Sequence, residues 1–260
     1  MTSSTPNPPH ATLAGRSAIV TGSSSGIGAA VARSLAAHGA HVVVSGRDAT
    51  RGQNVVNDIT RRGGQANFIA TDLAGAYSEL RSFAAEVLKV VGGRLDILVN
   101  NAGLYPVGAT EGLADADLDA MLAVNVRAPH VLTATVAPAM AERGTGVIVN
   151  IGSWMAQVGS PYGAMYTATK AAIEQLTRSW AAEYGPRGVR VNTVAPGVTL
   201  TPGNEAYRPA IDALTATTPA GVLVRPDDVA AAVTYLASDD AAMVHGITLY
   251  VDGGISSTRL

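Results

Sequence analysis

The chain has 260 residues, 47% hydrophobic and 15% charged, with a formal net charge of −2 at pH 7. That balance, and the lack of a basic run, argue against nucleic acid or an anionic membrane as a partner. With no cysteine, disulfides and thiolate chemistry are excluded, and the five histidines show no metal-ligand spacing, so no metal site is expected.

The N-terminal MTSSTPNPPHATLAG has neither the basic nor the apolar segment of a secretory signal, and the protein is expected to be cytoplasmic. Its Ser/Thr/Pro content predicts a flexible leader over 1–12, followed by one domain over 13–260. The first strand is expected in SAIVTG (17–22), running through TGSSSGIG (21–28) into a helix. Gly22 permits a tight turn, and Gly26 and Gly28 allow close backbone approach. The N–H groups of Ser24, Ser25, Gly26, Ile27 and Gly28 open the helix, where the free amides and the dipole attract a pyrophosphate. The spacing is G-x-x-x-G-x-G rather than the commoner G-x-G-x-x-G, but its place after the first strand is where such folds bind dinucleotides.

The second strand is HVVVSG (41–46). An acidic side chain at its end would bond a ribose 2′-OH and repel a 2′-phosphate. Here Gly46 stands at that place with Arg47 next, so NADP(H) is expected over NAD(H). Asp48 reads as the N-cap of the following helix. Further strands are expected in ANFIATD (66–72), LDILVNNAG (95–103), GVIVNIGS (146–153), VRVNTVAPG (189–197) and GITLYVDGG (246–254). Continuous Val/Ile-rich runs alternating with helical segments predict an α/β fold, a doubly wound parallel sheet of about seven strands covered on both faces.

The segment APHVLTATVAPAMA (128–141) carries no charge on any helical face, and the helix after Lys170 is alanine-rich. Both read as an oligomer interface, with Pro138 bending the first. Residues 144–169 are also uncharged, but five glycines, Pro161 and Asn150 rule out a bilayer span. At the end of that tract stands Lys170, one of two lysines in a chain with sixteen arginines. Tyr166 lies four residues before it and would share its helix face. An ammonium at ~4 Å and an effective dielectric of about 20 contributes roughly 4 kcal/mol, enough to lower a phenol pKa by about three. Ser153 sits at the C-terminal edge of the sheet, able to hold a substrate oxygen but with no histidine to make it a nucleophile. Tyr162 has no lysine four residues on and is expected to line the pocket.

Ser153, Tyr166 and Lys170 at this spacing, with TGSSSGIG, Asp72-Leu73, NNAG (100–103), Asn125, PGVTLT (196–201) and LYVDGG (249–254), resemble the short-chain dehydrogenases/reductases from Leu13 onward. The resemblance implies Tyr166 as acid/base, Lys170 lowering its pKa and holding the nicotinamide ribose, Ser153 orienting the reacting oxygen, and Asn125 supporting a proton relay. It also implies Asp72 and Leu73 at the adenine, Asn100, Ala102 and Gly103 along the ribose, and Pro196, Gly197 and Thr199 at the carboxamide. The homotetramer follows from the same resemblance and the two uncharged helices.

The expected activity interconverts a small-molecule ketone and a secondary alcohol. Alternatives are a 3-oxoacyl-acyl-carrier-protein reductase, for which Arg127, Arg178 and Arg208 are the available basic residues, a nucleotide-sensing module, and a fold-sharing lyase or epimerase. Trp154, Tyr105 and Tyr207 are candidate pocket walls, and Pro202 and Gly203 predict a mobile lid.

Overall fold

The computed structural model describes residues 12–106 and 108–258, so residues 1–11 of the expected leader lie outside the described residues. Seven strands form one sheet: β1 Ser17–Val20, β2 His41–Gly46, β3 Gln65–Ala70, β4 Ile97–Asn100, β5 Gly146–Ile151, β6 Val189–Pro196 and β7 Thr248–Val251. Their order is β3-β2-β1-β4-β5-β6-β7, and every neighbouring pair is parallel.

The central strands β1, β2, β4 and β5 are mostly apolar at successive positions because alternate side chains enter two separate cores. Val20, Val42, Val44, Ile97 and Val99 pack on one face with α1 (Gly26–Ala37), α2 (Ala49–Arg61) and α8 (Pro226–Ala237). Ile19, Val43, Leu98 and Ile148 pack on the other with α3 (Tyr77–Val90), α5 (Ala128–Glu142) and α6 (Ala164–Tyr184). Full burial of each such side chain stabilises the fold by roughly 1.5–3 kcal/mol. The chain winds outward from β1 in one direction to β3, then crosses back to β4. The C-terminal ends of β1 and β4 therefore diverge into a crevice, where ligands bind in open α/β sheets.

Two helical details depart from a plain reading. Between α4 (Asp115–Leu122) and α5 the chain does not break but passes through one π-helical turn, Ala123–Arg127. Pro138 stands inside α5 on its exposed side. The outer faces of α5 and α6 carry Ala134, Pro138, Ala168, Ala171 and Ala182, all exposed. The segment between β6 and α8 holds a short turn, Glu205–Tyr207, and α7 (Arg208–Thr215). Among the described residues no helix is long and apolar enough to cross a membrane.

Candidate active site

The first turn after β1 is built by hydroxyls and one close contact. Gly22 has φ +63°, and a Cβ there would lie 2.9 Å from Ala102 Cα, so the turn and the end of β4 touch backbone to backbone. Thr21 Oγ1 accepts the N–H groups of Asn101 and Ala102 at 3.0 and 3.1 Å, and Asn101 Nδ2 donates to Thr21 O at 2.7 Å. Ser23 Oγ donates to Val20 O at 2.6 Å and accepts from Ser45 N at 2.9 Å, tying the same turn to β2. α1 then starts at Ser25 with no side-chain cap and no acidic residue in its first turn. Its leading amides are left for another acceptor, which suits an anion.

A cleft of about 360 Å³ opens above this turn. Gly22, Ser24, Ser25, Gly26, Ile27, Gly28, Arg47, Asp72, Leu73, Ala102 and Gly103 all line it, as their sequence positions imply. Asp48 caps α2 by accepting Arg51 N at 2.9 Å, and the Arg51 N–H bond holds its carboxyl below the usual carboxylate range. Arg51, one turn into α2, bonds Asp48 Oδ2 through Nε at 2.7 Å and brings a second guanidinium to the cleft wall. Nothing in the strand pattern pointed to it. A Cβ at Gly46 would lie 2.9 Å from Ser24 Oγ, so a side chain there would require the serine hydroxyl to turn aside.

Beside the cleft lies a recess of about 280 Å³ lined by Ser153, Trp154, Tyr166, Lys170, Pro196, Gly197 and Thr199. The two spaces share Ile27, Asn101, Gly103, Tyr105 and Thr201 as walls. Two of the expected catalytic and cofactor-binding residues stand outside both linings. Asn100 is buried and donates to Asn150 Oδ1 at 2.8 Å, and the neighbouring Asn101 takes the wall position. Asn125, in the π-helical turn, binds both backbone groups of Leu104 at 2.8 Å and donates to Thr169 Oγ1 at 3.0 Å. It reaches the site's edge all the same: a Cβ at Gly103 would lie 3.5 Å from Lys170 Nζ and 3.6 Å from Asn125 Oδ1. Tyr162 does not line the recess; it sits in the turn before α6, 66% exposed. Tyr207 lies outside the lining too, though near enough to Tyr105 to raise its pKa, second to burial.

Ser153 is buried, and its Oγ accepts Met155 N at 3.2 Å, leaving its own proton free to donate into the recess. The Tyr166 ring meets Tyr105 edge-on, with centroids 6.1 Å apart. Lys170 is 5% exposed, and Nζ donates to Ile151 O at 2.8 Å while standing 5.8 Å from the Tyr166 ring centre. Here the sequence expectation needs correcting. Burial pushes the Tyr166 phenol up from its ordinary value, with Ser153 hydrogen bonding pulling the other way. Burial also lowers Lys170 to about 8. The ammonium is aimed at a carbonyl rather than at the phenol, and desolvation weighs on both groups, so the drop expected from the four-residue pairing is not found. Tyr166 is half-buried as a whole residue, and burial is the largest influence on its hydroxyl.

The family described as Enoyl-(Acyl carrier protein) reductase matches residues 22–256. A solved structure titled short chain dehydrogenase/reductase family protein is 43% identical, with a TM-score of 0.87 over 95% of this chain and all of that one. The chain belongs to the short-chain dehydrogenase/reductase family. D-threitol dehydrogenase of Mycolicibacterium smegmatis is 39% identical over 93% of each chain. A gluconate 5-dehydrogenase of Burkholderia cenocepacia, solved with NADP and tartrate, is 34% identical with a TM-score of 0.89, covering 96% of this chain and 98% of that one. As a short-chain dehydrogenase/reductase the protein is an oxidoreductase acting on CH–OH groups with a nicotinamide dinucleotide. The uncapped α1 terminus and the close turn at Gly22 fit the diphosphate of such a cofactor.

Proposed function

We propose that the protein interconverts a ketone and a secondary alcohol with NADP(H), Tyr166 serving as acid in reduction and base in oxidation. One observation carries the reading: Ser153, Tyr166 and Lys170 share the wall of a recess that opens from the glycine-lined cleft. Bound dinucleotide supplies the hydride and, when oxidised, a positive charge that favours the phenolate. Ser153 Oγ–H and Tyr166 Oη–H converge on the carbonyl oxygen, placing two oriented donors where negative charge develops. A phenol raised by burial is neutral at physiological pH and so holds the proton that reduction needs. Lys170 Nζ holds the nicotinamide ribose hydroxyls, and Asn125, fixed by Leu104 and Thr169, supports a water relay toward Lys170. Residues 13–260 act as one catalytic domain.

Arg47 and Arg51 on the cleft wall support preference for a 2′-phosphate, with Asn101 replacing Asn100 along the cofactor. Trp154, Met155, Val198 and Leu214 give the recess an apolar lining, and Lys170 is its one charged side chain among the described residues, which favours an uncharged substrate. The names of the threitol and gluconate relatives support a hydroxylated carbon skeleton. An acyl-carrier partner finds less support, because Arg127 is spent on the Ala74 and Gly75 carbonyls, Arg178 on Gln175 and Arg208 on Asp212. We place the enzyme in the cytoplasm as a homotetramer built on the small-residue faces of α5 and α6.

The test is NADPH consumption against a panel of ketones, diketones, sugars and acyl thioesters, run with the wild type and Tyr166→Phe. Turnover of ketones is expected for the wild type, with a loss of roughly 10²–10⁴-fold in the variant. Wild-type-like turnover by Tyr166→Phe would remove the assigned role.

A further inference from the structure

Behind the reacting groups lies a buried carboxyl that the proposed chemistry leaves unused. Glu174 follows Lys170 by four residues and Tyr166 by eight, on the same face of α6, and is 2% exposed. Its Oε2 accepts from Gln157 Nε2 at 3.0 Å. Its Oε1 has no partner among the described residues and faces Gly152, where a Cβ would lie 3.5 Å away. Gln157 closes the short turn Trp154–Gln157, and that turn starts at Ser153, which caps it through Oγ. This bond ties the far end of the turn that starts at Ser153 to the helix bearing the phenol and the ammonium, which the Lys170 Nζ–Ile151 O bond already joins to the end of β5 on the other side of the serine.

A half-satisfied buried carboxyl costs stability, and an apolar side chain of similar volume would pack there at lower cost. Its presence is explained if it holds geometry. We propose that Glu174 and Gln157 are positioning residues whose bond fixes Ser153 at its working separation from Tyr166. The inference rests on the catalytic assignment of Ser153 and Tyr166 made above. The groups facing the carboxyl are Gln157 from the turn, Thr248 and Tyr250 from β7, and Arg178 on its own helix, with Thr193 and Ala195 of β6 packed beside Gly152. Burial raises the Glu174 pKa, and Gln157, Arg178 and the nearby Thr248 hydroxyl oppose the rise.

Gln157 itself is exposed, so it can be changed without opening the core. Gln157→Met keeps the length and removes the donor. Gln157→Glu replaces the donor with a carboxylate, which at neutral pH repels Glu174 and once protonated can donate to it. The readouts are kcat, KM and the NADPH dissociation constant from about pH 5.5 to 8.5, each divided by the wild-type profile, with unfolding temperatures alongside. Gln157→Met is expected to lower kcat roughly 10-fold at every pH, with KM, NADPH affinity and unfolding temperature close to wild type. Gln157→Glu should match it at pH 8 and approach the wild type as the pH falls. Wild-type kcat in Gln157→Met, a loss confined to KM or unfolding temperature, or a pH-independent Gln157→Glu overturns the inference. Tyr166→Phe, run in parallel, separates the failures. If it is inactive while Gln157→Met is normal, only the clamp is wrong; if it turns over normally, the catalytic assignment has failed first.

Discussion

Replacing Lys170 with methionine removes a buried ammonium while keeping an unbranched side chain of similar length. Burial takes the Lys170 pKa from 10.5 to about 8. At ~1.4 kcal/mol per pH unit, holding the charge inside the fold costs about 3 kcal/mol. Because the side chain is 5% exposed, solvent screening removes little of this. Below pH 8 the folded and unfolded chains both keep the proton and the full cost is present. Between about 8 and 10.5 only the unfolded chain keeps it, so stability rises with pH; above that window the cost is gone. Methionine also abandons the Ile151 carbonyl, a loss of roughly 1–3 kcal/mol that does not follow this pH course. The assay is denaturant unfolding of both chains, without nucleotide, from pH 7 to 10.5. The variant's stability relative to wild type should fall by about 3 kcal/mol across that range. A difference that stays flat would mean that Lys170 is not desolvated, and the electrostatics of the recess would have to be redrawn.

Ser153→Ala should lower kcat by about 10²–10³-fold through loss of one donor to the developing oxyanion, with NADPH affinity unchanged; steady-state kinetics with nucleotide fluorescence titration checks both. Arg47→Ala should weaken NADPH binding by roughly 10-fold or more and leave NADH binding nearly unchanged, since a charge-assisted bond contributes about 1.5–3 kcal/mol. Equal losses for both nucleotides would contradict it. Light scattering should return a tetramer, and a mass of 26.4 kDa, that of one chain, would refute the interface assigned to α5 and α6.

The central strands were readable because burial on both faces makes them nearly continuous apolar runs, and all seven strands, the half-exposed edges β3 and β7 included, overlap the predicted segments. Their C-terminal ends were overextended at TG (21–22), NAG (101–103) and GS (152–153), where the chain leaves the sheet toward the cleft. The glycine turn and Arg47 line the cleft and Ser153, Tyr166 and Lys170 the recess, positions that their places in the chain and the family resemblance had singled out. Side-chain environment was not. Spacing shows that Tyr166 and Lys170 share a helix face, but the direction of a pKa follows from burial, and burial here works against the phenolate. Asn100 and Asn101 are the same residue type one position apart, so composition could not show which faces the cleft. Arg51 reaches the cleft by one helical turn, and the Glu174–Gln157 bond spans elements 17 residues apart. Neither leaves a local signature.

The π-helical turn at Ala123–Arg127 makes the region around Asn125 intolerant of insertions and deletions. One residue removed anywhere in the turn would let α4 and α5 merge into a regular α-helix, and the chain before the deletion would rotate by about 100° relative to α5. Asn125 could then no longer meet Leu104 and Thr169 together. Surface loops at the sheet's N-terminal edge can absorb a change in length, whereas the span from Asp115 to Glu142 has to keep its residue number.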